Sequence, residues 1–538
     1  MKRWLSLLFV VFVVVTITVQ CTAQPSPTSS PTEALVAEQP TQQPPIVATT
    51  EVPTTALVES GPVMGGTVVV GLDSDLSTLD PTMSNNATDR HVYHNVYDTL
   101  VRLGTDASIL PGLAESWEVS EDGKEYVFHL RQGVKFHDGT DFNAKAAKFN
   151  LDRARAEGSA RASELSAITD VSVVDDNTLK IMLSDAIPFL WNLADRAGMM
   201  LSPKAVEELG EQLGRNAVGT GPFKFVEWIP DDHLTLEKNP DYWEEGKPYL
   251  DRLIFRPIPE GTVRSIELRS GNVDIVEKVP PQDVDSLKGT EGIEMLVKPS
   301  LGYAYVFLNG TKPPFDNLNA RKALAYAIDR TKLAEIATFG TGLPGVSPIP
   351  PISWAYNPDY KGIPYDPEKA KEFLVEAGMP NGFSFQFVIP PWEEFITSAQ
   401  FMVEQWAAVG IKAEIVQMEL TALLDKLFAK DYQAIYIDYS GRVDPDPNLW
   451  GHTGCDGGNN FSGVCNEEAN RLMIEARTTA DQEKRKQLYF QAVPLVVEEQ
   501  ISQLYIYYPS NLIAFNKALQ IEYYPDARFR FKDAWLKQ

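Results

Sequence analysis

The run E-F-I-T-S-A-Q-F-M-V-E-Q-W-A-A-V-G-I-K-A-E-I-V-Q-M-E-L-T-A-L-L-D-K-L-F, Glu394 to Phe428, alternates two periodicities. Ile396, Ala399, Val403 and Trp406 recur at helical spacing as far as Gly410, which stops the helix. Ile411 to Val416 then reads as a strand, and Leu420 to Phe428 as a second helix. A further apolar strand, Ala434 to Ile437, follows. Upstream, Asp366-Pro367 places a cap and a proline at the head of a helix with Phe373, Leu374 and Ala377 inward and Gly378 at its end. Asn319 is the expected cap of another, carrying Ala320, Ala323, Leu324, Ala327 and Ile328 on one face. This β–α alternation is the pattern of an open α/β sheet, whose ligands sit beyond the strand ends. The segment at such an end is D-Y-S-G-R-V-D-P-D-P-N-L-W, Asp438 to Trp450. It gathers a cation, two carboxylates and aromatic rings on one loop, although the same residue types also form ordinary surface turns.

The N-terminal half begins its body at Gly65-Gly66 with a β-branched strand, Thr67 to Leu72. Trp117 to Leu130 reads as a hairpin: Trp117 and Val119 alternate with polar residues, Asp122-Gly123 turns, and Tyr126, Phe128 and Leu130 alternate again. Asp141 or Asn143 caps a helix with the stripe Ala144, Ala147, Leu151 and Ala154. Val171 to Leu183 forms a pair of strands around Asp175-Asp176-Asn177. His91 and His94 stand at i, i+3, but no neighbouring Cys or carboxylate completes a metal site.

The chain has 538 residues, with 44% hydrophobic and 10% aromatic residues, enough for two or three packed domains. Its formal charge of −25 argues against a nucleic-acid surface. Lys2 and Arg3 precede an apolar run, Leu5 to Val19, short of the about 20 residues a spanning helix needs and suited to an export signal over residues 1–23. Cys21 directly after that run resembles the acylated cysteine of a bacterial lipobox, although Gln20 stands where a small residue belongs; cleavage after Ala23 is the rival. Residues 24–64 are rich in Pro, Thr, Ser and Gln and read as a disordered tether. In an oxidising compartment the remaining cysteines, Cys455 and Cys465, can close a short Gly- and Asn-rich loop, contributing about 2–3 kcal/mol; two free thiols are the alternative.

The run L-A-E-S-W-E-V-S-E-D-G-K-E-Y-V-F-H-L-R-Q-G-V-K-F-H-D-G-T-D-F-N-A-K, Leu113 to Lys145, resembles the signature region of the family 5 bacterial extracellular solute-binding proteins, the oligopeptide, dipeptide and nickel receptors of ABC importers. V-G-T-G-P-F (Val218–Phe223), N-P-D-Y-W (Asn239–Trp243) and F-L-N-G-T-K-P-P-F-D-N-L-N-A-R-K-A-L-A-Y-A-I-D-R (Phe307–Arg330) are similar to the same family in the same order. The resemblance runs from about Gly65 onward. It implies an α/β, two-lobed, periplasmic-binding-protein-like type II fold with an extra inserted subdomain in lobe I. Lobe I would take residues 65–302 and 507–538, with the insertion at about 105–190, and lobe II residues 303–506. The crossings would fall near Ser300 to Tyr305 and Tyr505 to Pro509.

Catalytic patterns are missing: there is no G-x-S-x-G, H-E-x-x-H, S-x-x-K or phosphate loop ending in G-K-[ST]. Asp444, Asp446 and Asn448 start like a calcium loop, but Leu449 replaces its glycine and Cys455 its bidentate Glu. No catalytic residue, cofactor or metal is expected. The expected ligand contacts are Trp354, Trp392 and Tyr439 as stacking walls, Arg442 as a carboxylate clamp, and Asp444 to orient Arg442 or receive an ammonium group. For Arg442 the competing role is an internal ion pair with Asp444 or Asp446, and for the tryptophans core packing. The resemblance adds Asn85, Asn86 and Thr220 from lobe I. Peptide-binding members carry an aspartate before the D-P-D element, where this chain has Arg442, which points to a ligand with an anionic group. The expected partners are a small-molecule or peptide solute and ABC permease subunits, with a membrane attachment through an N-terminal lipid anchor and a monomeric, extracytoplasmic body. The rival is a ligand sensor or chaperone-like protein with the same fold.

Overall fold

Val68, Val70 and Leu72 are completely buried because the strand Thr67–Leu72 has parallel neighbours on both sides, Arg252–Pro257 and Ile275–Val276. The computed structural model that shows this describes residues 61–479 and 481–537. The expected export signal, Cys21 and residues 24–60 of the expected tether lie outside the described residues.

Thr67–Leu72 sits centrally in a seven-stranded sheet ordered Ile293–Pro299, Ser510–Asn516, Ile275–Val276, Thr67–Leu72, Arg252–Pro257, His233–Lys238 and Phe223–Ile229. A six-stranded sheet is ordered Leu343–Pro344, Gln503–Tyr508, Tyr303–Leu308, Ala434–Tyr439, Ser384–Ile389 and Lys412–Gln417. Its last three strands are the β–α alternation of the opening run. Ser384–Ile389 pairs in parallel with both Lys412–Gln417 and Ala434–Tyr439. The helices Glu393–Ala408 and Leu420–Phe428 make the crossovers.

The chain passes between the two sheets twice, through Ser300–Gly302 and through Pro509. These passages touch, since Ser300 N donates to the Pro509 carbonyl at 3.0 Å. After the second, residues 510–537 return to the seven-stranded sheet. Phe529, Phe531 and Ala534 join its core, and Leu519 pairs with Leu536.

A third layer is a four-stranded antiparallel sheet ordered Ala114–Val119, Glu125–Leu130, Thr178–Leu183 and Ile168–Asp175. The helix Ala144–Arg155 lies on it, burying Ala144, Ala147, Leu151 and Ala154 in a core of its own. Asn143 is the cap, accepting from Lys145 N at 3.0 Å and Ala146 N at 3.1 Å, whereas Asp141 pairs with Lys135. Val119 is 40% exposed because its strand is the sheet's edge, so the expected alternation is shallow there.

One cap differs from expectation. The helix Leu318–Tyr326 is capped by Asn317, whose Oδ1 accepts from Asn319 N at 2.9 Å and Ala320 N at 3.4 Å. Asn319 therefore contributes the capped N–H. The inward face is unaffected: Ala320, Ala323, Leu324, Ala327 and Ile328 are all fully buried.

Candidate functional site

The strand Ala434–Tyr439 ends beside the passages between the sheets, and its loop is tied to them. Gly441 has φ +68°, and a Cβ there would stand 1.8 Å from the Leu301 carbonyl oxygen. Only glycine fits both constraints. From Gly441 the loop runs to Asp444, which caps the helix Pro445–Thr453 by accepting from Asp446 N at 2.9 Å.

Arg442 is exposed on this loop. Its main-chain N–H donates to Asn448 Oδ1 at 3.0 Å, and its guanidinium donates to the Gly441 carbonyl at 2.7 Å and Ser440 Oγ at 3.2 Å. The guanidinium carbon lies 5.4 Å from the centre of the Tyr439 ring. Among the described residues no carboxylate is within ion-pair distance of Arg442, so neither Asp444 nor Asp446 neutralises it. Tyr439 stacks edge-on against His452, with centroids 4.5 Å apart, and against Tyr303 at 5.7 Å.

Asp444 is 4% exposed and faces inward. Its partner is Arg485, 2.9 Å away, which also donates to Tyr489 Oη at 3.0 Å and to the Ala476 carbonyl at 3.1 Å. Asp444 therefore orients Arg485 and not Arg442. The Arg485 guanidinium lies 5.1 Å from the ring centre of the half-buried Trp354, whose Nε1 has no hydrogen-bond partner. Asp446 is buried with Arg477 at 3.2 Å. Burial pushes its carboxyl pKa up to about 7, Asp444 adds to the rise, and Arg477 and Arg485 oppose it. Arg477 in turn stacks 3.5 Å from the Trp450 ring centre. Trp392 is 40% exposed at the head of the helix Glu393–Ala408, its ring 5.6 Å from that of Phe395.

On the opposite side, the exposed Asn85 accepts from Arg161 Nη2. Asn86 closes its own turn by accepting from Thr88 N at 3.0 Å. Thr220 is set apart: it is 1% exposed and donates to Asp98 Oδ2 at 3.2 Å. Asp98 also accepts from Trp243 Nε1 at 2.9 Å and Arg102 Nη2 at 2.7 Å, so Thr220 belongs to an internal polar network. The structure thus brings Tyr439 and Arg442 together, and separately joins Asp444 to Trp354 through Arg485.

The four-stranded layer faces this loop. Arg442 is among the charges holding down the pKa of Glu164, which burial raises, and Arg485 acts likewise on Tyr126. Arg161, the partner of both Asn85 and Glu164, went unnoticed in the sequence, as did Arg485. Arg485 lies in Q-E-K-R-K-Q, which reads as a solvated charge run; only its helical register marks it as inward. The carboxylate that meets His91 comes from far along the chain, as Glu277 lies 2.9 Å from its Nε2. Arg528 Nη1 lies at the same 2.9 Å, so a cation already occupies the position.

A family model described as bacterial extracellular solute-binding proteins, family 5 Middle, matches residues 108–460. The glutathione-binding protein GsiB of Escherichia coli O1:K1 is 33% identical over 511 residues, covering 90% of this chain and 97% of that protein. Among solved structures, HbpA2 from Haemophilus parasuis aligns with a TM-score of 0.81 at 28% identity, over 88% of this chain and 100% of that one. The periplasmic binding protein DppA from Helicobacter pylori, in complex with the peptide STSA, aligns with a TM-score of 0.73 at 28% identity, over 88% and 99%.

Proposed function

The chain belongs to the family 5 bacterial extracellular solute-binding proteins, and on that premise we propose that it is the extracytoplasmic receptor of an ABC importer, capturing a small, anionic, peptide-like solute. In this reading lobe I is built on the seven-stranded sheet, with residues 65–302 and 507–538 and the insertion at about 105–190. Lobe II, residues 303–506, is built on the six-stranded sheet. The lobes close on the solute by bending at Ser300–Gly302 and Pro509, and the loaded form docks on the permease. ATP is hydrolysed by separate subunits, and the chain carries out no chemistry itself. Among the described residues no helix is long and apolar enough to cross a membrane. A lipid on Cys21, with residues 24–64 as tether, would hold a monomeric body at the membrane surface.

The observation that carries the ligand assignment is Arg442, an exposed guanidinium beside an aromatic ring at a strand end with no carboxylate partner among the described residues. A planar fork of donors left open in this way suits a carboxylate. The relative that binds glutathione and the neighbour holding STSA make short peptides the first class to examine. Mass spectrometry of solutes released by denaturing the purified protein tests the reading. It expects a small acidic molecule. Failure to release any solute, together with no thermal shift across peptides, opines and sugars, would sink it.

A further inference from the structure

Two guanidiniums share one carbonyl oxygen beside Glu164, a carboxylate on which Arg442 also acts. Arg161 Nη2 donates to Ser84 O at 2.9 Å and also to Asn85 Oδ1. Arg196 Nη1 donates to the same Ser84 O at 3.1 Å. Arg161 is 1% exposed and Arg196 half-buried, and the Nε of each is buried without a hydrogen-bond partner. Glu164 pairs with Arg161. Asp195, next to Arg196 in sequence, is taken by Arg90 at 2.8 Å and lies 3.5 Å from His94. Among the described residues Arg196 has no carboxylate within ion-pair distance.

Like charges held together away from water repel strongly, and a buried donor without an acceptor adds to the cost. Two carboxylates act on the pair and neither is a full answer: burial and Asp195 push the pKa of Glu164 up against Arg161, Arg196 and Arg442, and Asp195 is paired with Arg90. Burial is also the chief influence lowering the pKa of Arg196; Asp195 and Glu164 oppose it, while Arg161 and Arg90 add to it, and the net shift is downward. Such an arrangement is stabilised by an anion supplied from outside.

Resting on the receptor reading above, we propose that Arg161 and Arg196, at the Ser84–Asn85 loop, form a second anion subsite opposite Arg442. The solute class is then a peptide-sized molecule with at least two carboxylates, one for each wall. Closure without such a solute brings Arg442 towards two further cations. Closure around it places a carboxylate between them. Specificity and the trigger for closure therefore reside in the same three guanidiniums.

The first test is the mass of the solute released from the full chain. At least two acidic groups are expected; a solute with one overturns the subsite and leaves the receptor reading intact, and a solute with none overturns the anionic assignment of Arg442 as well. Release of no solute, with no binding of the probes below, overturns both. The second test is calorimetric titration of the emptied chain with Ala-Glu and Ala-Gln, which differ in the second carboxylate. Ala-Glu should bind about tenfold more tightly, and the preference should fall below about threefold in Arg196→Gln. Equal binding to the wild type, or a preference that survives Arg196→Gln, overturns the subsite. Should that variant not fold, raising salt from about 0.05 to about 0.5 M on the unmodified chain gives the same readout. Ala-Glu binding should weaken more steeply than Ala-Gln binding, and parallel slopes overturn the proposal.

Discussion

Arg442 and Asp444 share a loop and have opposite fates, because one side chain leaves the fold and the other completes it. Removing Arg485 would strand Asp444 as a buried charge at 4% exposure. Arg485→Ala is therefore expected to cost about 3–5 kcal/mol in denaturant unfolding. Arg442→Ala should leave stability within about 0.5 kcal/mol, while calorimetry shows an acidic solute binding about tenfold more weakly. Asp446 gives a pH signature. Its carboxyl is held at about 7 in the folded chain, against about 3.9 when unfolded. Below about pH 4 both states are protonated and there is no penalty. Between about pH 4 and 7 only the unfolded state loses its proton, so stability falls as pH rises, by on the order of 4 kcal/mol once complete. Asp446→Asn should accordingly raise the unfolding midpoint at pH 8 much more than at pH 4, and an equal gain at both would contradict this. The loop's chemistry was legible in the sequence because its residues are adjacent. The pairing of Asp444 with Arg485, 41 positions on, was not, since it depends on how two helices pack.

Elements were read more surely than residues wherever one face is buried. The stripe Ala144, Ala147, Leu151 and Ala154 fixed its helix because helical spacing and burial agree, and the same holds for Ala320 to Ile328. Ends are less sharply marked. Asn317 and Asn319 are equally good caps by chemistry, and the turn after Phe315 decides between them. The disulfide Cys455–Cys465 joins Cα atoms 5.1 Å apart and closes the loop after the helix Pro445–Thr453. Cys455→Ser with Cys465→Ser should cost about 2–3 kcal/mol by denaturant unfolding, and no change would show that the loop is already ordered by Asn460 and Ser462. Gly441→Ala should be costlier to binding than to folding. Its Cβ meets Leu301 O, so the loop must lift off the passage between the sheets and carry Arg442 with it.

At the scale of the molecule, the alternation around Glu394–Phe428 identified an α/β sheet, but no local signal showed that two sheets share the chain in three stretches. That information lies in long-range pairing, such as Ser510–Asn516 between Ile293–Pro299 and Ile275–Val276. Ser300 N and Pro509 O are hydrogen-bonded, so the proposed closure requires the two passages to bend together. Small-angle scattering should show compaction on adding the released solute, and an unchanged radius of gyration would argue against closure.

The return of the tail to the first sheet also sets an order of assembly. Val70 and Val92 share a core with Phe529, Phe531 and Ala534, so this core closes only when segments far apart in the sequence have met. The six-stranded sheet has all its strands between residues 303 and 508 and has no such wait. The first sheet is thus complete only once Ser510–Asn516 has taken its place between Ile293–Pro299 and Ile275–Val276.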